Sequence, residues 1–98
     1  MYISISASGA LSLQESDNFK QFSIQETVPG QALEALSNIA TSAEDDHFWV
    51  DANAVIALAP AQGDSDWVDA FWDMLEKSEP YGYSDLQKQT VKAHVEPA

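Results

Sequence analysis

The first quarter of the chain alternates. In YISISA, residues 2–7, Ile3, Ile5 and Ala7 fall on one side and Tyr2, Ser4 and Ser6 on the other, the period-two mark of a half-buried strand. Ser8-Gly9 signals a turn, and ALSLQ resumes the alternation through Leu11 and Leu13. A second turn cluster, ESDN at 15–18, precedes KQFSIQE, which sets Phe22 and Ile24 against Gln21, Ser23 and Gln25. Three such runs joined by turns predict an antiparallel meander.

After Thr27 the period lengthens. Ala32, Leu33, Leu36, Ile39 and Ala40 recur at helical spacing and predict a helix over 28–42, with Thr27 as its cap and Pro29 in its first turn. The period then shortens to two across His47–Val50, a short strand rich in aromatic and β-branched residues. Asp51 is placed to cap a following helix over 51–59, which Pro60 ends because the residue before proline is pushed out of the α region. The clearest helix is 66–79, where Trp67, Phe71, Met74 and Leu75 make one broad apolar face. TVKAHVE, 90–96, closes the chain as an alternating strand.

The apolar members of these strands can all face one layer of helices. The expected fold is therefore α+β: a two-layer sandwich with an open, mostly antiparallel sheet of four or five strands and about three helices on one face. Residues 1–98 are expected to form a single domain.

Charge narrows the function classes. Sixteen acidic residues face four lysines, arginine is absent and the net charge is −12. Such a chain is a poor ligand for nucleic acid or an anionic membrane, since it lacks the bidentate phosphate reader and repels the polyanion. Cysteine is absent, so no disulfide or thiolate metal site is available. No segment approaches the roughly 20 apolar residues of a membrane span, and the N-terminal residues lack the basic and apolar regions of a secretory signal. A soluble cytoplasmic protein is expected.

Candidate chemistry is sparse. His47 and Trp49 share the polar phase of their strand, as do His94 and Glu96 of the last strand and Tyr2 of the first. If the strands carrying the two histidines are neighbours, imidazoles and a carboxylate would gather on one sheet face, a candidate ligand-binding or interface surface. Without fixed ligand spacing or thiolates, no tightly bound metal, no cofactor and no catalytic residue is expected. The acids of GDSDWVD miss the calcium-loop pattern and suit a helix start better. On the 66–79 helix, Asp66, Asp69, Asp73 and Glu76 lie on one side with Trp72 at the margin, a candidate surface for a partner. These features predict a small acidic non-enzymatic interaction protein, either a homodimer or the accessory or inhibitory partner of another protein, one with a basic surface. The rival expectation is a small enzyme or ligand-binding module using the face around His47, Trp49 and His94.

Overall fold

Alternation carries over directly into burial. The computed structural model, which describes residues 1–98, has strands β1 (Tyr2–Ile5), β2 (Leu11–Gln14), β3 (Ser23–Glu26), β4 (Ala40–Ser42), β5 (His47–Asp51), β6 (Ser84–Asp85) and β7 (Thr90–Pro97). Its helices are α1 (Ala32–Ala35), α2 (Ala52–Leu58) and α3 (Ser65–Ser78), with a single 3₁₀ turn at Glu79–Tyr81. The fold is α+β with seven strands in one mostly antiparallel sheet, two or three more than the pattern predicted. Strand order is β2-β1-β3-β7-β5-β4, with β6 also paired to β7. Ile3, Ile5, Leu13, Ile24, Phe48, Val50, Val91 and Ala93 are buried and join Leu36, Val55, Trp67, Phe71 and Leu75 from the intervening segments in one core.

The meander is not formed. β1 and β2 are antiparallel neighbours as expected, but β3 lies on the other side of β1 and runs parallel to it. Gln14 and Ser23 both sit opposite Tyr2, so residues 15–22 need only step across the start of one strand, a span of about 10 Å at normal strand spacing. That crossing segment is tied down on both sides. The Met1 amine donates to the Asn18 and Gln21 carbonyls at 2.9 and 2.8 Å, and the Trp67 indole N–H donates to the Ser16 carbonyl at 2.8 Å. Burial of Met1 pushes its amine below the usual range, against the opposing pull of Glu15 and Asp17.

The predicted 28–42 helix is also corrected. Only 32–35 is helical, and 40–42 is an edge strand against β5. Thr27 does not cap α1; its hydroxyl donates to the Ile5 carbonyl at 2.8 Å. The cap comes instead from Glu26, whose two carboxylate oxygens accept from the Gly30 and Ala32 amides, each at 3.0 Å. Gly30 sits at φ +82, which is incompatible with a helix running on from Thr27. After Leu36, whose carbonyl accepts from the Ile39 and Ala40 amides in a closing turn, the Ile39 carbonyl accepts from the Asp51 amide, so the segment passes from turn to β5 and not into further helix.

α2 and α3 fall within one or two residues of their predicted limits. Asp51 caps α2, its carboxylate accepting from the Asn53 amide at 3.1 Å. Asp64 caps α3 through the Asp66 and Trp67 amides, and the helix buries Trp67, Phe71 and Leu75. Trp67 and Phe71 stack with ring centroids 5.5 Å apart. Ser84, the one buried polar residue, donates to the Leu75 carbonyl and bonds the Ser78 hydroxyl, joining β6 to the end of α3.

Candidate functional site

The polar phase of the central strands makes the most concentrated chemistry in the molecule. β5 and β7 are antiparallel neighbours, with His47 directly opposite His94 and Trp49 opposite Lys92. The two imidazole rings lie 5.0 Å apart, centroid to centroid. Glu96, two residues along β7, approaches the His94 Nδ1 at 3.9 Å. Tyr2 belongs to the same row but stands two strands away: it pairs with Ser23, which in turn pairs with His94. At normal strand spacing that is about 10 Å of backbone separation, so Tyr2 flanks the cluster rather than entering it.

Two further residues belong here: Lys92, which alternation places on the same face as His94 and Glu96, and Glu44, which the sequence pattern did not single out. The Lys92 ammonium bonds the Glu44 carboxylate and lies 5.7 Å from the centre of the Trp49 ring. Lys92 holds the Glu44 carboxyl below the usual glutamate range, chiefly through that hydrogen bond. The alternation of Lys92 with His94 was a usable signal, whereas Glu44 arrives only through the turn between β4 and β5. There the His47 amide donates to the Glu44 carbonyl, and Asp45 and Asp46 take φ +53 and +60. Positive φ at both central residues is the signature of a type I′ turn, here built without glycine. The turn also positions His47, whose Nδ1 lies 2.9 Å from the Asp45 carbonyl and 3.1 Å from that of Glu44.

Beside the cluster is a cleft of about 460 Å³. It fills a notch along one edge of β7, which pairs with β6 at residues 90–91 and with β3 only from His94 onward. Tyr2, Gln25, Lys92, His94 and Glu96 line it, with Phe22 and Tyr83 supplying apolar surface. Across the chain, no group of three or more histidine, aspartate or glutamate side chains is placed to hold a metal ion.

The acidic residues of α3 are where the helical periodicity put them. Asp66, Asp69, Asp73 and Glu76 are all exposed, and Trp72 is half-buried against the core. The stripe is not bare, because Lys77 bridges to Asp73 at 2.8 Å. That pairing raises the Lys77 pKa. The stripe and the histidine cluster are therefore separate candidates on different elements. No helix is long and apolar enough to cross a membrane. No protein-family model, curated protein or solved structure matches the chain.

Proposed function

We propose that this is a small acidic cytoplasmic protein, a single two-layer domain with its helices on one sheet face, that acts by binding another protein and not by catalysis. The partner is a protein with a lysine- or arginine-rich surface, or a second copy of the chain; the net charge argues against nucleic acid and anionic membranes. The observation that carries this reading is the imbalance of pairing. Only three of the sixteen carboxylates, those of Glu44, Asp73 and Glu96, make an ion pair, and one of these is with a histidine. Glu26, Asp51 and Asp64 accept from backbone amides, but on α3 the exposed carboxylates of Asp66, Asp69 and Glu76 make no ion pair and follow one another along successive turns beside Trp72. Like charges at such spacing cost a few tenths of a kcal/mol per pair, so the alignment works against helix stability.

The test is a pull-down from native lysate with the wild type and with D66N/D69N/D73N/E76Q, followed by association kinetics for the captured partner. Slower association and a flatter salt dependence in the variant are expected. Equal on-rates and equal salt dependence would refute the stripe as the contact. Light scattering at rising salt checks self-association in the same way.

A second reading is favoured by one observation, the cleft beside His94. A small-molecule site would use Lys92, His94 and Glu96 as its polar anchors and Phe22 and Tyr83 as its apolar walls. Chemical-shift changes confined to those residues on titration with a small-molecule library would support it over the binding-protein reading.

A further inference from the structure

The register of β5 against β7 does more than bring two histidines near each other. The Val95 amide donates to the Asp46 carbonyl at 2.8 Å, one residue beyond the His47–His94 pair on each strand. That bond makes His47 and His94 a non-hydrogen-bonded antiparallel pair, the kind whose Cα atoms stand about 4.5 Å apart with their side chains side by side. The orientation of His47 is set as well. Its Nδ1 faces two carbonyl oxygens, which only accept, so Nδ1 carries the proton and donates. The Nε2 lone pair is left free, the arrangement by which a ligating histidine is usually held from behind.

We propose that His47 and His94 form a two-imidazole chelate for a borderline divalent transition ion, Cu(II) ahead of Zn(II), with Glu96 as a neighbouring carboxylate. The spacing fits. With metal–nitrogen bonds of about 2.0–2.1 Å, two cis imidazoles on one ion hold their ring centres about 4.5–5 Å apart. The rings here are 5.0 Å apart. The order of metals follows from the general preference of nitrogen ligands for Cu(II).

The surrounding charge favours a cation. Glu96 lies beside His94, and Asp45 and Asp46 form the turn that leads into His47. The nearby cation, Lys92, is matched by its pairing with Glu44. Because no third protein side chain closes the site, water completes the coordination sphere and the ion exchanges freely. This differs from the tightly held, closed metal centre that the sequence gives no reason to expect. It is also independent of the acidic stripe on α3.

The experiment is titration of the untagged chain with Cu(II) alone and with Zn(II) alone. One equivalent of Cu(II) should bind, with electron paramagnetic resonance showing nitrogen ligands, and Zn(II) should bind more weakly. His47→Gln and His94→Gln should each weaken Cu(II) binding by about a hundredfold, the gain that comes from linking two ligands in one site. Glu96→Gln should weaken it only a few-fold. Both histidines are partly exposed, so the variants should melt with the wild type; thermal melts verify this. A readout without any variant is the proton spectrum, where sub-stoichiometric Cu(II) should broaden the ring resonances of both histidines together. Affinity should fall in acid, because protons compete with the ion for the same nitrogen lone pairs. The proposal is overturned if Cu(II) does not bind, if either glutamine variant binds it as tightly as wild type, or if only one histidine broadens.

Discussion

Replacing Asp51 by alanine separates a structural joint from a functional site. In the structure Asp51 ends β5 and caps α2, with φ −61 and ψ 119 and one carboxylate oxygen 3.1 Å from the Asn53 amide. The neighbouring Ala52 amide is satisfied independently by the Gln89 carbonyl at 2.8 Å, so truncating Asp51 orphans one amide and not two. Asn53 is exposed, and water can take the vacated position. The loss should therefore be about 1 kcal/mol, the middle of the range for N-cap truncation. For 98 residues the unfolding entropy near 60 °C is about 0.2 kcal/mol/K, so the melting temperature should fall by about 5 °C.

Asp51→Asn supplies the control. It keeps an acceptor for the Asn53 amide and removes only the charge near the helix N-terminus, so it should cost about 0.3–1 kcal/mol at most. Urea unfolding of the three proteins, with a common m-value, would show alanine below asparagine below wild type. Binding by the folded protein should be equal in all three. If Asp51→Ala melts with the wild type, the capping argument fails. If it melts with the wild type and also loses binding, the stretch around Asp51 is a site and not a joint.

Three more predictions test other links. Asp46 holds φ +60 in the turn before β5, a conformation that glycine adopts without strain, so Asp46→Gly should stabilise the fold by about 0.5–1 kcal/mol in urea unfolding; a loss of that size would refute the strained-turn reading. Phe71 is fully buried at the centre of α3, and Phe71→Ala should cost about 3–5 kcal/mol, a large share of the total stability of a domain this size, read by calorimetry. The Glu44 carboxyl, lowered by Lys92, makes the folded state bind that proton more weakly than the unfolded state; its contribution is thus present above the ordinary glutamate range and lost as pH falls through the lowered folded value. Carboxyl NMR should find the Glu44 midpoint low in wild type and back in the ordinary range in Lys92→Met.

Which parts of this were legible in the sequence depends on how local their causes are. α2 and α3 were readable because each begins directly after a capping aspartate and buries residues at helical spacing. Core strands were readable because alternation fixes which side of a strand is buried. It does not fix which strand lies alongside: Ile24 faces inward whether β3 pairs with β2 or with β1, so the parallel pairing left no trace in the pattern. The 28–42 helix failed for a related reason. Leu36, Ile39 and Ala40 reach the core with helical spacing although a turn and a strand carry them there, and the cap comes from Glu26, outside the window a cap is sought in. The face shared by His47, Trp49 and His94 followed from alternation alone, while their pairing needed β5 and β7 to be neighbours. Lys92 shares that face by the same alternation, but Glu44 joins it through a tertiary contact and a turn without glycine, which no short-range signal announces.

The two candidate surfaces answer to different variables, and this lets one preparation judge both. Contact through Asp66, Asp69 and Glu76 is a long-range effect between exposed charges, and physiological salt screens it over about 8 Å. Coordination by His47 and His94 is a short-range bond to neutral nitrogens, little affected by salt but lost when protons compete for the same lone pairs. Salt should therefore dissolve a partner complex while leaving Cu(II) bound, and acid should release Cu(II) by competition for the imidazole nitrogens. A partner released by mild acid but not by salt would place the contact on the histidine face instead. That result would make the sheet face the interface and reduce the acidic helix to solvated surface.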